Sequence, residues 1–116
     1  MKKKTDLFII FIALSCFSTA VFSENSSQYQ AEAIASGRLA EAEQGLLTLL
    51  AKDPNDPYAL LNLAFVYQKS GDTSKSQQVY QRILELKSNP YAELSSGKPE
   101  SVKNIARRGI ASLDTK

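Results

Sequence analysis

The stretch that decides the fold is residues 61–80, LNLAFVYQKSGDTSKSQQVY. Two helical patterns meet there, with Gly71-Asp72 between them. On the first side, Tyr58, Leu60, Leu61, Leu63, Ala64, Phe65, Val66 and Tyr67 place apolar side chains around most of a helix's circumference. Such a helix is expected to be covered on more than one side. On the second side, Val79, Tyr80, Ile83, Leu84 and Leu86 resume steps of three and four residues until Ser88-Asn89-Pro90 stops them. Gly71 is free to take a positive φ and close the first helix, and Asp72 or Thr73 can cap the free N–H groups of the next. The punctuation therefore predicts a helix, a tight turn and a second helix.

Upstream of this unit, Leu39, Ala42, Leu46, Leu49 and Leu50 form one apolar stripe after a break at Gly37. Asp53-Pro54-Asn55-Asp56-Pro57 ends that helix, and Pro57 suits the first turn of the following one. Downstream, residues 91–98 are the least regular part of the chain and read as a linker. A last amphipathic pattern, Val102, Ile105, Ala106, Ile110 and Leu113, predicts a helix over residues 99–113 with Pro99 and Glu100 in its first turn. Gly109 interrupts it at the usual cost of a glycine in a helix, about 1 kcal/mol. No segment sustains a two-residue alternation, so an all-α chain without strands is expected.

The breaks recur at one interval. Gly37 and Gly71 are 34 residues apart, as are Pro54 and Ser88, and the same offset pairs Ala42 with Ser76, Leu46 with Tyr80, Leu49 with Ile83 and Leu50 with Leu84. A helix–turn–helix unit of that period resembles the tetratricopeptide repeat family. The clearer unit, residues 57–90, carries Leu60 in place of the early aromatic, then Leu63-Ala64, Tyr67, Ser76 and Tyr80. Ile83 is bulkier than the family's small residue, and the closing proline is displaced to Pro90. The other unit, residues 24–56, matches in its second helix through Gly37 to Ala42, Leu46, Leu49 and Pro54. Its first helix departs from the pattern, with Tyr29 and Gln30 at the Leu-small pair and Ala33 where an aromatic belongs. The resemblance implies two stacked units, and the helix at 99–113 would cover the second, because a helix pair cannot bury its apolar face alone.

Before the repeats, Lys2 to Lys4 precede an apolar run from Leu7 to Phe22, and small residues follow at Ser18-Thr19-Ala20 and Val21-Phe22-Ser23. Residues 1–23 thus read as a secretory signal peptide cleaved after Ala20 or Ser23. The run is shorter than the 18 or more residues of a spanning helix. Cys16, the one cysteine, ends Ala13-Leu14-Ser15-Cys16, and lipidation there is the alternative fate of the segment. The expected location is the periplasm, or, with Cys16 lipidated, the outer membrane through its lipid anchor.

Charge and missing chemistry narrow the function. The whole chain carries +2, but residues 24–116 hold 11 basic and 11 acidic side chains, which argues against a nucleic-acid partner. Residues 24–97 sum to −3 and residues 98–116 to +3, so a basic segment follows an acidic body. Histidine is absent, and cleavage after residue 20 or 23 removes the cysteine, so His- or Cys-based zinc sites and Ser-His or Cys-His nucleophile pairs are excluded. Glu41/Glu43 and Asp53/Asp56 read as solvated charges rather than an acid–base pair. No cofactor and no enzymatic activity are expected.

The resemblance implies protein binding in a groove lined by the first helix of each unit. Carried over residue by residue, the groove positions are Tyr58, Leu61, Phe65, Gln68 and Lys69, and helical geometry places the first four along one face; the alternative is that the first unit or the C-terminal helix covers Leu61 and Phe65. Some members of the family clamp a partner's terminal carboxylate with Lys and Asn residues. Asn62 matches one of these, but Ser27 and Ala31 stand at the others, so no such clamp is expected. The expectation is a small adaptor or assembly factor of the bacterial cell envelope, similar to helper proteins of pilus or secretion machinery. The alternative is a lipidated, pilotin-like chaperone of an outer-membrane channel subunit. Self-association as a homo-oligomer stays open beside the protein partner.

Overall fold

The computed structural model describes residues 29–94 and 96–114. The expected signal peptide, Cys16 and residues 24–28 of the first unit lie outside the described residues. Among the described residues, five helices and two short strands follow one another: α1 (Ala31–Ala35), α2 (Leu39–Lys52), α3 (Pro57–Lys69), α4 (Thr73–Leu84), β1 (Tyr91–Glu93), β2 (Pro99–Ser101) and α5 (Val102–Asp114).

The two turns 34 residues apart are built alike. In α3, the Gly71 N–H donates to the Gln68 carbonyl at 3.2 Å and the Asp72 N–H to the Tyr67 carbonyl at 2.9 Å. In α1, the Gly37 N–H donates to Ile34 at 3.1 Å and the Arg38 N–H to Ala33 at 2.8 Å. Both pairs are the double closure of a Schellman motif, which needs a left-handed residue. Gly71 and Gly37 supply it at φ 90° and 81°. Asp72 then caps α4 by accepting from the Lys75 N–H at 3.2 Å. Asp56 caps α3, taking the N–H groups of Tyr58 (3.0 Å) and Ala59 (3.3 Å), with Pro57 at the first helical position.

α3 is the spine of the molecule, buried without a break from Ala59 to Tyr67. One side of it, with Ala59, Leu63, Phe65, Val66 and Tyr67, packs with Tyr29, Ala33, Ile34, Ala42 and Leu46 of the first unit. The other side, with Leu60, Leu61 and Ala64, meets Tyr80 and Ile83 of α4, Ala92 of β1, and Val102, Ile105, Ala106 and Leu113 of α5. That two-sided burial is why α3 is apolar all round. Ser76 is small because α4 approaches α3 closely there: it is fully buried, and its hydroxyl donates to the Ala64 carbonyl at 2.8 Å. Asn62 is equally buried, its Nδ2 donating to the Tyr29 carbonyl at 3.0 Å and so tying the two units together.

Two expectations are corrected in the C-terminal third. Residues 91–98 do not form a plain linker, and residues 99–101 are not helical. Tyr91–Glu93 pairs antiparallel with Pro99–Ser101, Tyr91 opposite Ser101 and Glu93 opposite Pro99. Three residues per strand are too few to show an alternation, and the pairing depends on a turn that brings the Leu94 N–H to the Lys98 carbonyl at 3.1 Å. α5 therefore begins at Val102. Its free N–H groups at Val102, Lys103 and Asn104 go to the Pro90 carbonyl, the Asn89 side chain and the Ser101 hydroxyl. α4 also ends at Leu84, before the expected Leu86, whose N–H bonds back only three residues to Ile83.

Candidate functional site

The five groove positions do not form the open face that sequence spacing suggests. Leu61 is 1% exposed and Phe65 6%. Leu61 lies in the cluster with Tyr80, Ala92 and Ile105, and Phe65 in the cluster with Tyr29, Ala33 and Ile34. Tyr58 is half-buried: its hydroxyl donates to the Tyr91 carbonyl at 2.9 Å, and its ring meets that of Tyr29 edge-on at 5.8 Å. Burial, and secondarily the Asp56 charge, push the Tyr58 phenol up. Gln68 is half-buried and hydrogen-bonded on both sides of its amide, while Lys69 is exposed with its Nζ 5.8 Å from the centre of the Phe65 ring. Helical spacing puts these residues on one face, but it cannot say which later segment lies across it. Here the hairpin and α5 cover Leu61.

What stays open beside that face is a cleft of about 170 Å³ lined by Leu61 and Gln68 of α3, Tyr80 of α4, Leu94 of the hairpin, and Ile105, Arg108, Gly109 and Ser112 of α5. The α5 residues follow steps of three, one and three, a single face of that helix. Gly109 is the reason the helices can come this close: a Cβ built there would lie 2.3 Å from Cζ of Tyr80. A hydrogen-bonded row crosses the cleft. The Tyr80 hydroxyl donates to Gln68 Oε1 at 2.8 Å, Gln68 Nε2 donates to the Ser112 hydroxyl at 2.8 Å, and that hydroxyl donates to the Gly109 carbonyl at 2.8 Å. Burial pushes the Tyr80 phenol up to about 12, so it stays neutral and donating across the physiological range.

Arg108 lies at the edge of this cleft, its side chain 58% exposed. Its Nε and Nη2 donate to the two carboxylate oxygens of Glu100 on β2, which also accepts from Asn104 Nδ2 at 2.7 Å. The Arg108 hydrogen bond above all, aided by Asn104 and by the nearby charges of Arg108 and Lys98, holds the Glu100 carboxyl below its usual range, against the opposing effect of desolvation. Lys103, on the same helix, turns its Nζ to the Leu86 carbonyl. Arg107 is exposed.

Of the residues lining the cleft, sequence spacing placed Leu61 and Gln68 on the groove face, Ile105 on the apolar stripe of the last helix and Arg108 in the basic segment, but it did not find Leu94 or Ser112 or bring these elements together. The signal for their meeting was Gly109, a costly residue in a helix that only a close approach repays. Asn62 and Ala31 of the carboxylate-clamp positions are both buried. Among the described residues no group of three His, Cys, Asp or Glu side chains can hold a metal ion, and no helix is long and apolar enough to cross a membrane. Residues 33–97, more than half of the 116-residue chain, match the family model described as a tetratricopeptide repeat. No curated protein and no solved structure matches.

Proposed function

The chain belongs to the tetratricopeptide repeat family, and from that premise we propose that it is an adaptor or assembly factor of the bacterial cell envelope, holding a partner's peptide or helix at the cleft between α3 and α5. Members of the family are in general non-catalytic scaffolds for protein–protein interaction, and protein binding is the general role of this chain. The observation that carries the finer reading is the cleft itself. It sits where Leu61 and Gln68 of the groove face meet Leu94 and Ile105, an apolar recess with fixed polar groups at one side. Tyr58 and the exposed Tyr91 extend the surface beside it, and tyrosine is a residue type enriched at interface centres.

The order of Lys2 to Lys4, apolar run and small residues supports export, and with it a periplasmic adaptor. The motif ending at Cys16 supports the second reading, a lipid-anchored chaperone of pilotin type for a pilus or secretion channel subunit. Intact mass of the protein purified from its host separates them: a start at Val21 or Glu24 supports the periplasmic adaptor, and a diacylated Cys16 the chaperone. A full-length chain with Met1 in the membrane fraction refutes both. Crosslinking in envelope fractions tests the binding site. Capture of a defined envelope protein is expected for the wild type and lost for Leu94→Asp at unchanged helix content. Equal capture by that variant refutes the cleft as the site.

A further inference from the structure

The geometry points to a partner of defined chemistry: a peptide segment in which an aliphatic side chain stands beside a carboxylate. The aliphatic group enters the cleft, and the carboxylate takes the Arg108 guanidinium over from Glu100. This rests on the reading of the cleft as the partner site.

Volume and lining select the first element. A cavity of about 150 Å³ with apolar walls is enough to hold a benzene molecule. The cleft, at about 170 Å³, has Leu61, Leu94 and Ile105 as its apolar walls. Its neutral polar groups, Gln68, Tyr80 and Ser112, already satisfy one another. An incoming polar group would have to break that row, whereas an aliphatic one leaves it intact and gains contact with the walls.

Arg108 selects the second. It lines the cleft and presents its guanidinium largely to solvent, where Glu100 engages two of its donors. A guanidinium has five N–H donors in a rigid fork that matches a carboxylate. Glu100 therefore stands where a partner's carboxylate would stand, a stand-in ligand supplied by β2. The arginine is paired before and after the exchange, and the displaced Glu100 keeps Asn104 Nδ2 and the charge of Lys98, so the cost is the difference between two carboxylate contacts. The charge of Lys98 acts on the same carboxylate from the hairpin side. The described residues 98–114 hold Lys98, Lys103, Arg107 and Arg108 against Glu100 and Asp114, so an acidic segment is also steered to this end of the molecule. The site differs from the Lys/Asn clamp weighed above, since Asn62 is spent inside the fold.

The test uses the full chain and three synthetic fluorescein-labelled peptides of one length, centred on Asp-Leu-Asp, Asp-Ala-Asp and Lys-Leu-Lys, read by fluorescence anisotropy at low salt. Asp-Leu-Asp is expected to bind at least about threefold tighter than either of the others. Arg108→Gln should erase its advantage over Lys-Leu-Lys. Glu100→Gln should tighten Asp-Leu-Asp by about two- to fivefold, because the internal competitor is gone. Arg108 is exposed and Glu100 half-buried, and circular dichroism confirms that each variant is folded. Equal affinity for the three peptides, no binding of any, or weaker binding to Glu100→Gln overturns the inference. So does Arg108-dependent binding to phosphatidylglycerol vesicles without peptide binding, which would make the arginine a lipid contact. In each of these cases envelope crosslinking with Leu94→Asp still decides the adaptor reading by itself.

Discussion

Gly109→Ala is the substitution in which helix propensity and packing disagree most clearly. In an isolated helix the change would stabilise by about 1 kcal/mol. In this fold the added methyl carbon would sit 2.3 Å from Cζ of Tyr80 and 2.6–2.7 Å from its two Cε atoms. Carbon contacts settle at about 3.5–4.0 Å. The ring has little room to retreat: Tyr80 is 3% exposed, belongs to the core cluster with Ile83 and Ile105, and its hydroxyl is held by Gln68. Overpacking of this kind costs about 1–3 kcal/mol, and losing the Tyr80–Gln68 bond adds about 1 kcal/mol. Set against the propensity gain, the net loss is about 2 kcal/mol, or about 10 °C in Tm for a domain of this size. Thermal and urea unfolding followed by circular dichroism measure it. A cycle with Tyr80→Ala isolates the cause: in that background Gly109→Ala should be neutral or stabilising. A Tm equal to or above the wild type, or the same loss in both backgrounds, refutes the packing argument.

Gly71→Ala meets no atom within 4 Å, yet its φ of 90° should cost about 1–2 kcal/mol, seen as a lower urea midpoint at unchanged slope. Phe65→Ala should lower Tm steeply, by about 3 kcal/mol of stability, while the folded fraction still captures its partner; weaker capture at unchanged stability would restore Phe65 as a contact residue. Truncation after Gly97 removes α5 and bares Leu60, Tyr80 and Ile83, so the remainder should unfold or self-associate in analytical ultracentrifugation. Tyr80 gives the alkaline limit. Its phenol is raised in the fold to about 12 against about 10 unfolded, so its contribution is complete below pH 10 and is lost between pH 10 and 12. A late phenolate absorbance step that coincides with loss of helix, and is absent in Tyr80→Phe, is the expected result.

The sequence by itself determined the repeat. Gly37 and Gly71 at the same offset, followed by Arg38 and Asp72, encode two identical helix closures, because a Schellman turn is a local event that needs only a residue tolerant of positive φ. The all-round apolar pattern of α3 likewise announced a helix covered on more than one side, and Pro57 marked its start. Tertiary structure decided which face of α3 would be closed. Leu61 and Leu60 look alike in sequence, and whether either meets solvent depends on where the hairpin and α5 come to rest. That position hangs on contacts between residues far apart in the chain: Tyr58 to Tyr91, Gln68 to Ser112, and the ring of Tyr80 against the bare backbone of Gly109. Periodicity reports the direction of a side chain from its own helix axis and carries no information about what arrives from elsewhere. The cleft, its arginine and the carboxylate that occupies it exist only once those distant segments have met.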